Sequence, residues 1–540
     1  MKEDIKKLLK KAILKAKRDN KWPNFDLSEI AVDYAKNEQF GEYATNIAMV
    51  LVGKIGKNPM EIADAIKLQI TNYKLQNFEK IEVAAPGYIN FYLSEKYLQD
   101  VVKEINKTKE KFGNSKIGKK IKINNEFISA NPTGPLHLGN GRGGFYGDSI
   151  SKVLKKAGFE VVNEYYVNDA GGQVEKLGHS VLKDKEAVYA GEYIDELNKK
   201  YGKISDIREA GEKAAEDILE NLIKKTVAEK MKISFDVWTK EKEIQEKKYV
   251  ERAIEILKNK NLTYESEGAV WLKTAEFGDD KDRVLIKSDG QNAYLAGDAG
   301  YMLNKIERGF ARMIIGLGAD HHGYITRLNA MARALGFSGD FRFIISQLVR
   351  LVKDGQEMKM SKRAGNLVLI DDLIEKVGTD SARFFFLMYS PDTHMNFDLQ
   401  LAQEKSSKNP VFYVQYAHAR ICSILAKSEI LNPKSETNLK LEILNSKLEL
   451  LTHEKELNLI RELNKFPELV EEIAGSYEAH KLPQYAIKLA DKFHSFYGAC
   501  RVIDEKNPEL SEARLLLINA VRIVLAETLN LIGVSAPKSM

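Results

Sequence analysis

Residues 121–167 constrain the fold more than any other part of the chain. Ile121, Ile123 and Phe127 alternate as a half-buried strand requires. A loop rich in Gly and Pro follows from Ser129 to Gly144, then a helical stretch at 145–157 and a second strand-like run at 161–167. Strand, loop, helix and strand in that order open a doubly wound parallel sheet. Such a sheet takes ligands at the carboxyl ends of its strands, and a helix N-terminus there favours phosphate.

The rest of the chain sorts around this unit. Residues 1–115 begin with an amphipathic helix (Ile5, Leu8, Leu9, Ile13, Leu14). They continue through helices at 43–55 and 59–69 and a strand pair near 81–93, which predicts a small α/β domain. The stretch 113–120 is polar and basic, a linker. The core then runs over 120–385. Residues 175–280 are charged, helical and poor in motifs, and read as an insertion. Strands resume at 284–286, 313–317 and 343–349. From 395 to 540 the pattern is helical, at 410–427, 439–451, 454–472, 482–500 and 510–532, which predicts an all-α bundle.

Composition narrows the partners and the compartment. A net charge of +5, from 82 basic against 77 acidic residues, is weak support for a polyanion partner. Residues 1–20 carry a local basic excess that could track phosphates or simply face solvent. Cys422 and Cys500 cannot build a disulfide framework or a four-cysteine zinc site, so no structural zinc is expected and cytoplasmic residence fits. No run reaches about 18 uninterrupted apolar residues, and no signal peptide is evident, so no membrane association is expected. The closest run, 515–534, is broken by Arg522, Glu527 and Asn530.

Two segments carry chemistry. In the first, 129–144, the glycines let backbone approach a nucleotide, and His137 can hydrogen-bond a phosphate oxygen as charge builds. Alone, it reads equally as a tight turn with a structural histidine. The second is Lys359-Met360-Ser361-Lys362-Arg363-Ala364-Gly365-Asn366. Lysines there would neutralise a leaving pyrophosphate, and Gly355 and Gly365 suit a loop that closes over ATP. Alone, it reads as solvated surface.

Together, in this order, the two segments resemble the signatures of class I aminoacyl-tRNA synthetases. The resemblance narrows to the arginyl-tRNA synthetases of bacterial type through 131–137, Tyr166-Val167-Asn168-Asp169-Ala170-Gly171-Gly172-Gln173, and Gly318-Ala319-Asp320-His321-His322-Gly323-Tyr324. Segments 413–420, 535–540, 41–46 and 86–91 extend it nearly end to end. Two positions depart from the pattern: Asn140 stands where the first signature ends in His, and Arg363 where the second ends in Ser.

The resemblance implies a Rossmann-type catalytic core, an N-terminal domain that touches the outer corner of tRNA, and a C-terminal anticodon-binding bundle. It implies that arginine is activated with ATP and Mg2+ to arginyl-adenylate and moved to the 3′ end of tRNA(Arg), and that activation itself needs bound tRNA. His137, Asn140, Lys359 and Lys362 would be catalytic. Glu126, Asn131, Tyr294 and Asp298 would bind arginine, the last two on one face of a helical turn. Pro132, Gly134, His137, Gly139, Asn140, Asp320, His321, Met360, Ser361 and Lys362 would bind ATP, and Tyr413, Tyr416, His418 and Met540 would contact tRNA. A zinc reading of Asp320-His321-His322 is disfavoured because adjacent His side chains point apart and no cysteine accompanies them. A small-molecule nucleotidyltransferase would not need the two outer domains. An RNA-binding paralogue without activity would be expected to lack His137, Lys362 or Asp298. A monomer is expected.

Overall fold

The computed structural model describes residues 1–27, 29–71, 76–353, 356–357, 368–431 and 447–540; within these, the side chains of 38, 71, 320–322 and 429–431 are outside the description. The opening helix Lys2–Asp19 buries Ile5, Leu9, Ala12, Ile13 and Ala16, one stripe at helical spacing. With helices Ile47–Ile55 and Pro59–Thr71 it covers a four-stranded antiparallel sheet built from Asp33–Tyr34, Tyr43–Thr45, Phe78–Ala84 and Tyr88–Leu93. The expected helix at 43–55 is thus shorter, because Tyr43–Thr45 pairs with the strand Tyr88–Leu93.

The core supplies β1 (Lys122–Glu126), α1 (Leu138–Lys156), β2 (Glu160–Val167), β3 (Val237–Lys240), α2 (Tyr294–Glu307), β4 (Arg312–Gly318), α3 (Ile325–Leu335) and β5 (Asp340–Ser346). Its strands are all parallel, in the order 3-2-1-4-5. The order reverses between β1 and β4, which leaves a crevice at their carboxyl ends. Helix α1 lies close on β1: a Cβ on Gly147 would collide with the Phe127 ring, and one on Gly144 would meet Ile128 and Met231.

Three expectations about strands change. β3 comes from inside the stretch read as an insertion; its pairing to β2 brings it into the core. Residues 283–286 instead join a separate antiparallel sheet with Ala269–Leu272 and Thr263–Ser266. The run at 343–349 divides: β5 ends at Ser346, and β6 (Val349–Lys353) opens a second small sheet. There it pairs antiparallel with β7 (Gln356–Glu357) and, beyond α4 (Ile370–Leu387), parallel with β8 (Met395–Asp398).

The helical region holds Pro410–Leu431, Glu454–Asn464, Phe466–Ser476, Lys481–Ala499 and Pro508–Ile532. The run at 454–472 breaks after Asn464, where Pro467 opens a new helix that needs no N–H at that position. Most of the expected helix at 439–451 falls outside the described residues; Leu448–Leu450 is a single 3-10 turn. Pro508–Ile532 has the length and composition to cross a membrane, but 67% of its apolar window is buried in the protein. The N-terminal domain docks on the bundle at Glu468, which accepts from Tyr34 (2.6 Å), Tyr43 (3.1 Å) and the Lys2 backbone (2.8 Å).

Candidate active site

The crevice between β1 and β4 opens into a cleft of about 1530 Å³. One wall is the loop after β1. The backbone there is strained: Ile128 has φ 66° and Ser129 φ 39°. A β-branched residue in the left-handed region is a true outlier, and strain of this kind clusters at binding and catalytic sites. Ser129 Oγ exploits the turn, donating to Glu126 (3.1 Å) and accepting from the Tyr166 backbone (3.1 Å).

His137 is the N-cap of α1. Its Nδ1 accepts from the Gly139 N–H (3.1 Å), and Asn140 Oδ1 accepts from the His137 N–H (3.0 Å). This reciprocal box accounts for Asn140 in the signature: the side chain that departs from the family pattern closes the cap. His137, Gly139, Asn140, Gly134 and Asn131 all line the cleft, whereas Pro132 is buried behind it. The helix N-terminus thereby faces the cleft, as an anion site requires.

Another part of the cleft lining is acidic. Asp298, Tyr301 and Lys305 follow Tyr294 on one face of α2, at i+4, i+7 and i+11. Glu126, buried at the end of β1, accepts from Tyr301 (3.0 Å) and pairs with the fully buried Lys305. Tyr166 stacks on Tyr301 with centroids 4.3 Å apart. Asp298 accepts from Tyr324 and feels the carboxylates of Glu241 and Glu126 and the guanidinium of Arg327. Burial, then Glu241, push its carboxyl up to about 7 against the pull of Arg327. Glu241, the first residue after β3, is itself raised by burial and by Asp169. Tyr294 stands 92% exposed at the mouth.

Sequence reasoning singled out Glu126, Tyr294 and Asp298 but missed Glu241, Tyr301 and Lys305. Tyr301 and Lys305 share the helical face of Tyr294 and Asp298, so their spacing was a usable signal. Glu241 carried none, because its place depends on β3 joining the sheet.

The second signature, 359–366, falls within 358–367, so Lys359, Met360, Ser361 and Lys362 lie outside the described residues, as do the side chains of Asp320 and His321. What brackets the segment is described. It is entered from β6 and β7, and Glu357 lines the cleft. It leaves at Val368 and Leu369, which bridge back to the first signature: the Leu138 N–H donates to Val368 (3.1 Å) and the Ile370 N–H to Leu136 (3.0 Å). Both ends of the segment therefore border the same cleft as His137.

On the bundle, Tyr416 and Phe412 stack at 6.4 Å and 7°, and His494 lies against both Tyr413 and Tyr416. Tyr413 donates to Asp491 (2.7 Å), and Met540 is 54% exposed. His418 is not on this surface. It is buried, and its Nδ1 donates to the Pro537 carbonyl (2.8 Å), fastening the 535–540 tail.

Three family models match in succession: the arginyl tRNA synthetase N terminal domain over 3–93, the class I (R) tRNA synthetase catalytic domain over 101–384, and the DALR anticodon binding domain over 414–540. The arginine–tRNA ligase of Bacillus subtilis (strain 168) is 41% identical over 565 residues, covering 100% of this chain and 99% of the relative. That of Bacillus velezensis is 42% identical over 566 residues, with the same coverage. The arginyl-tRNA synthetase of Thermus thermophilus shares the fold, with a TM-score of 0.78 at 22% identity over 99% of this chain and 100% of that one. With one cleft lined by both an acidic cluster and a helix N-terminus, and with full-length relatives at this identity, the chain belongs to the arginyl-tRNA synthetases, the class I family that joins arginine to its tRNA.

Proposed function

We propose that the cleft joins arginine to the α-phosphate of Mg·ATP and then passes the arginyl group to the terminal ribose of tRNA(Arg), releasing AMP. The observation that carries this assignment of parts is the convergence of Glu126, Glu241 and Asp298 in a cleft that the capped N-terminus of α1 also lines. A guanidinium is costly to bury unpaired, and its planar fork matches carboxylates. Asp298 and Tyr294 take the guanidinium with Glu241 beside them. Glu126 and Asn131 hold the α-amino and carboxylate end.

The arginine carboxylate attacks in line and pyrophosphate leaves. The protein's part is positioning and charge stabilisation rather than covalent chemistry. His137, Asn140, Gly134 and Gly139 line the phosphate end, while Pro132 supports their loop from behind. Lys359 and Lys362, with Met360 and Ser361, meet the leaving pyrophosphate, and Asp320 and His321 meet the nucleotide at the end of β4. Among the described residues no three His, Cys, Asp or Glu groups converge to hold a metal. Magnesium enters with ATP as part of the substrate, carried by triphosphate oxygens.

The bundle reads the anticodon by stacking, with Tyr413, Tyr416 and Met540 at its surface; His418 contributes by holding the tail that presents Met540. The basic stripe of the first helix touches the tRNA corner. The same reading takes the enzyme to work as a monomer in the cytoplasm, without structural zinc or membrane.

The test is ATP–pyrophosphate exchange with each amino acid in turn, with and without total tRNA. Exchange with arginine alone, and only when tRNA is present, is expected. Exchange with another amino acid, or with arginine in the absence of tRNA, overturns the corresponding part of the assignment.

A further inference from the structure

The acidic part of the cleft contains a cation of its own. Lys305, near the C-terminus of α2, is fully buried and pairs with Glu126. The two oxygens of Glu126 are used differently. Oε2 accepts from Tyr301 (3.0 Å) and carries the Lys305 contact, while Oε1 accepts from Ser129 (3.1 Å) on the strained turn. The ammonium also lies 4.4 Å from the centre of the Tyr301 ring. Its field reaches Glu164 on β2, which already has Arg308 as a hydrogen-bonded cation. Glu126 has no ion-pair partner besides Lys305 among the described residues. Lys305 therefore stands between a framework carboxylate that is balanced without it and a cleft carboxylate that depends on it.

A buried ion pair is a poor source of stability, because desolvating both ions offsets their attraction. Its effect on the charge of the cleft is larger. Glu126, Glu241 and Asp298 line one cavity, and the first two both raise the third. Carboxylates crowded in this way compete for protons, and the last to ionise does so well above the usual range. Asp298 is faced by Glu241 after β3, Glu126 on β1, Tyr166 on β2, and Tyr324 and Arg327 from the α3 side. Glu241 in turn has Asp169 against it. Arg327 opposes this excess at Asp298, and Lys305 opposes it at Glu126. With both cations in place, the Asp298 carboxyl rises no further than about 7.

We propose that Lys305 is a positioning residue for arginine binding, acting through Glu126: it cancels the charge of that carboxylate from the Oε2 side, so that the cluster receives the guanidinium of arginine rather than a proton. This rests on the assignment of the cluster to arginine, which Asp298→Asn tests separately.

The experiment measures the affinity of the full chain for L-arginine by calorimetry from about pH 6 to about pH 8.5, a range that brackets the Asp298 titration. It compares the parent with Lys305→Met, Glu126→Gln and the double variant. Lys305→Met leaves Glu126 uncompensated. The midpoint of the affinity profile should move up by about one unit, so that affinity at pH 7 falls about fivefold and approaches that of the parent at the alkaline limit. Glu126→Gln leaves Lys305 uncompensated and should move the midpoint down by about as much. In the double variant the two changes offset each other and the midpoint returns to that of the parent. A merely structural role lowers affinity alike at every pH and gives no shifts of opposite sign. If Lys305→Met does not fold, Glu126→Gln against the double variant carries the test, since those two differ only at Lys305. Where Asp298→Asn has lost its affinity for arginine, an unmoved midpoint in Lys305→Met overturns the proposal. Equal midpoints in Glu126→Gln and the double variant overturn it too, as does a loss that is uniform across the pH range. If Asp298→Asn binds arginine as the parent does, the assignment of the cluster fails instead.

Discussion

Glu164 and Asp298 are carboxylates of the same core, both drawn away from water, and their surroundings treat them in opposite ways. Glu164, on β2, accepts from Arg308 (2.8 Å), Thr239 and Asn124, and Lys305 is near. Burial pushes its pKa up, but the cations and hydrogen bonds outweigh it, and the net shift is downward. Asp298, on α2, has Tyr324 and Arg327 on its side but Glu241 and Glu126 against it, and its pKa rises to about 7. A carboxylate whose charge is balanced within the fold is part of the framework. One left in excess, in a cleft, is waiting for a cation from outside. The second condition distinguishes the acidic part of the cleft, proposed above to take arginine, from the sheet beneath it.

The largest effect should come from Asp298→Asn. Losing the charge that a buried guanidinium pairs with costs about 3–5 kcal/mol, so kcat/KM for arginine should fall about 10²- to 10⁴-fold in tRNA-dependent exchange, with no loss of thermal stability. A variant that stays active but unfolds early would reverse the contrast with Glu164. Glu164→Gln should do the opposite: about 3 kcal/mol of stability lost in denaturant titration as Arg308 loses its partner, with KM for arginine within about threefold.

The pH dependence of binding sharpens the same point. If Asp298 takes the guanidinium as proposed, arginine needs it ionised, and in the free enzyme that group gains its proton as the pH falls through about 7. Calorimetric affinity for arginine should therefore be full above pH 7 and weaken towards about tenfold per unit below it. Asp298→Asn should flatten that profile. The raised pKa has the reverse sign for the unliganded fold: its stabilising contribution is present at low pH and lost as the pH rises through 7. Affinity and stability should run in opposite directions across that window. The smallest effect is the most specific: Glu241→Gln removes a neighbour that raises Asp298 and should move the midpoint of the affinity profile to lower pH. A midpoint that stays put would separate the two carboxylates.

Much of the site is legible in the sequence. The β1 alternation, the Gly/Pro loop and the spacing of Tyr294 and Asp298 are local patterns, and local patterns survive in a linear reading. Gly144 and Gly147 can be counted there, but only the approach of α1 to Phe127 and Ile128 gives them a reason. Asn140 stands out as a departure from the family, yet its purpose needs the His137 cap. Glu241 and β3 are hidden in a run of Lys and Glu that reads as a solvated helix, because pairing with β2 is a contact across some seventy residues. The split of 343–349 is hidden for the same reason: β6 belongs to β8 rather than to the core, and pairing preferences of that kind are not written in a single apolar run.

By itself, then, the sequence determined the family, the parallel core with two flanking domains, and the residue types available to the cleft. These follow from motif order and from periodicities of two and 3.6, which depend only on near neighbours. Tertiary structure alone decided which charges are balanced and which are left open. Lys305 meets Glu126, Arg308 meets Glu164, and Arg142 meets three carbonyls, whereas Glu241 adds its charge to that of Asp298. Charge balance is set by distances of a few ångströms between residues far apart in the chain, and those distances exist only once the sheet has closed.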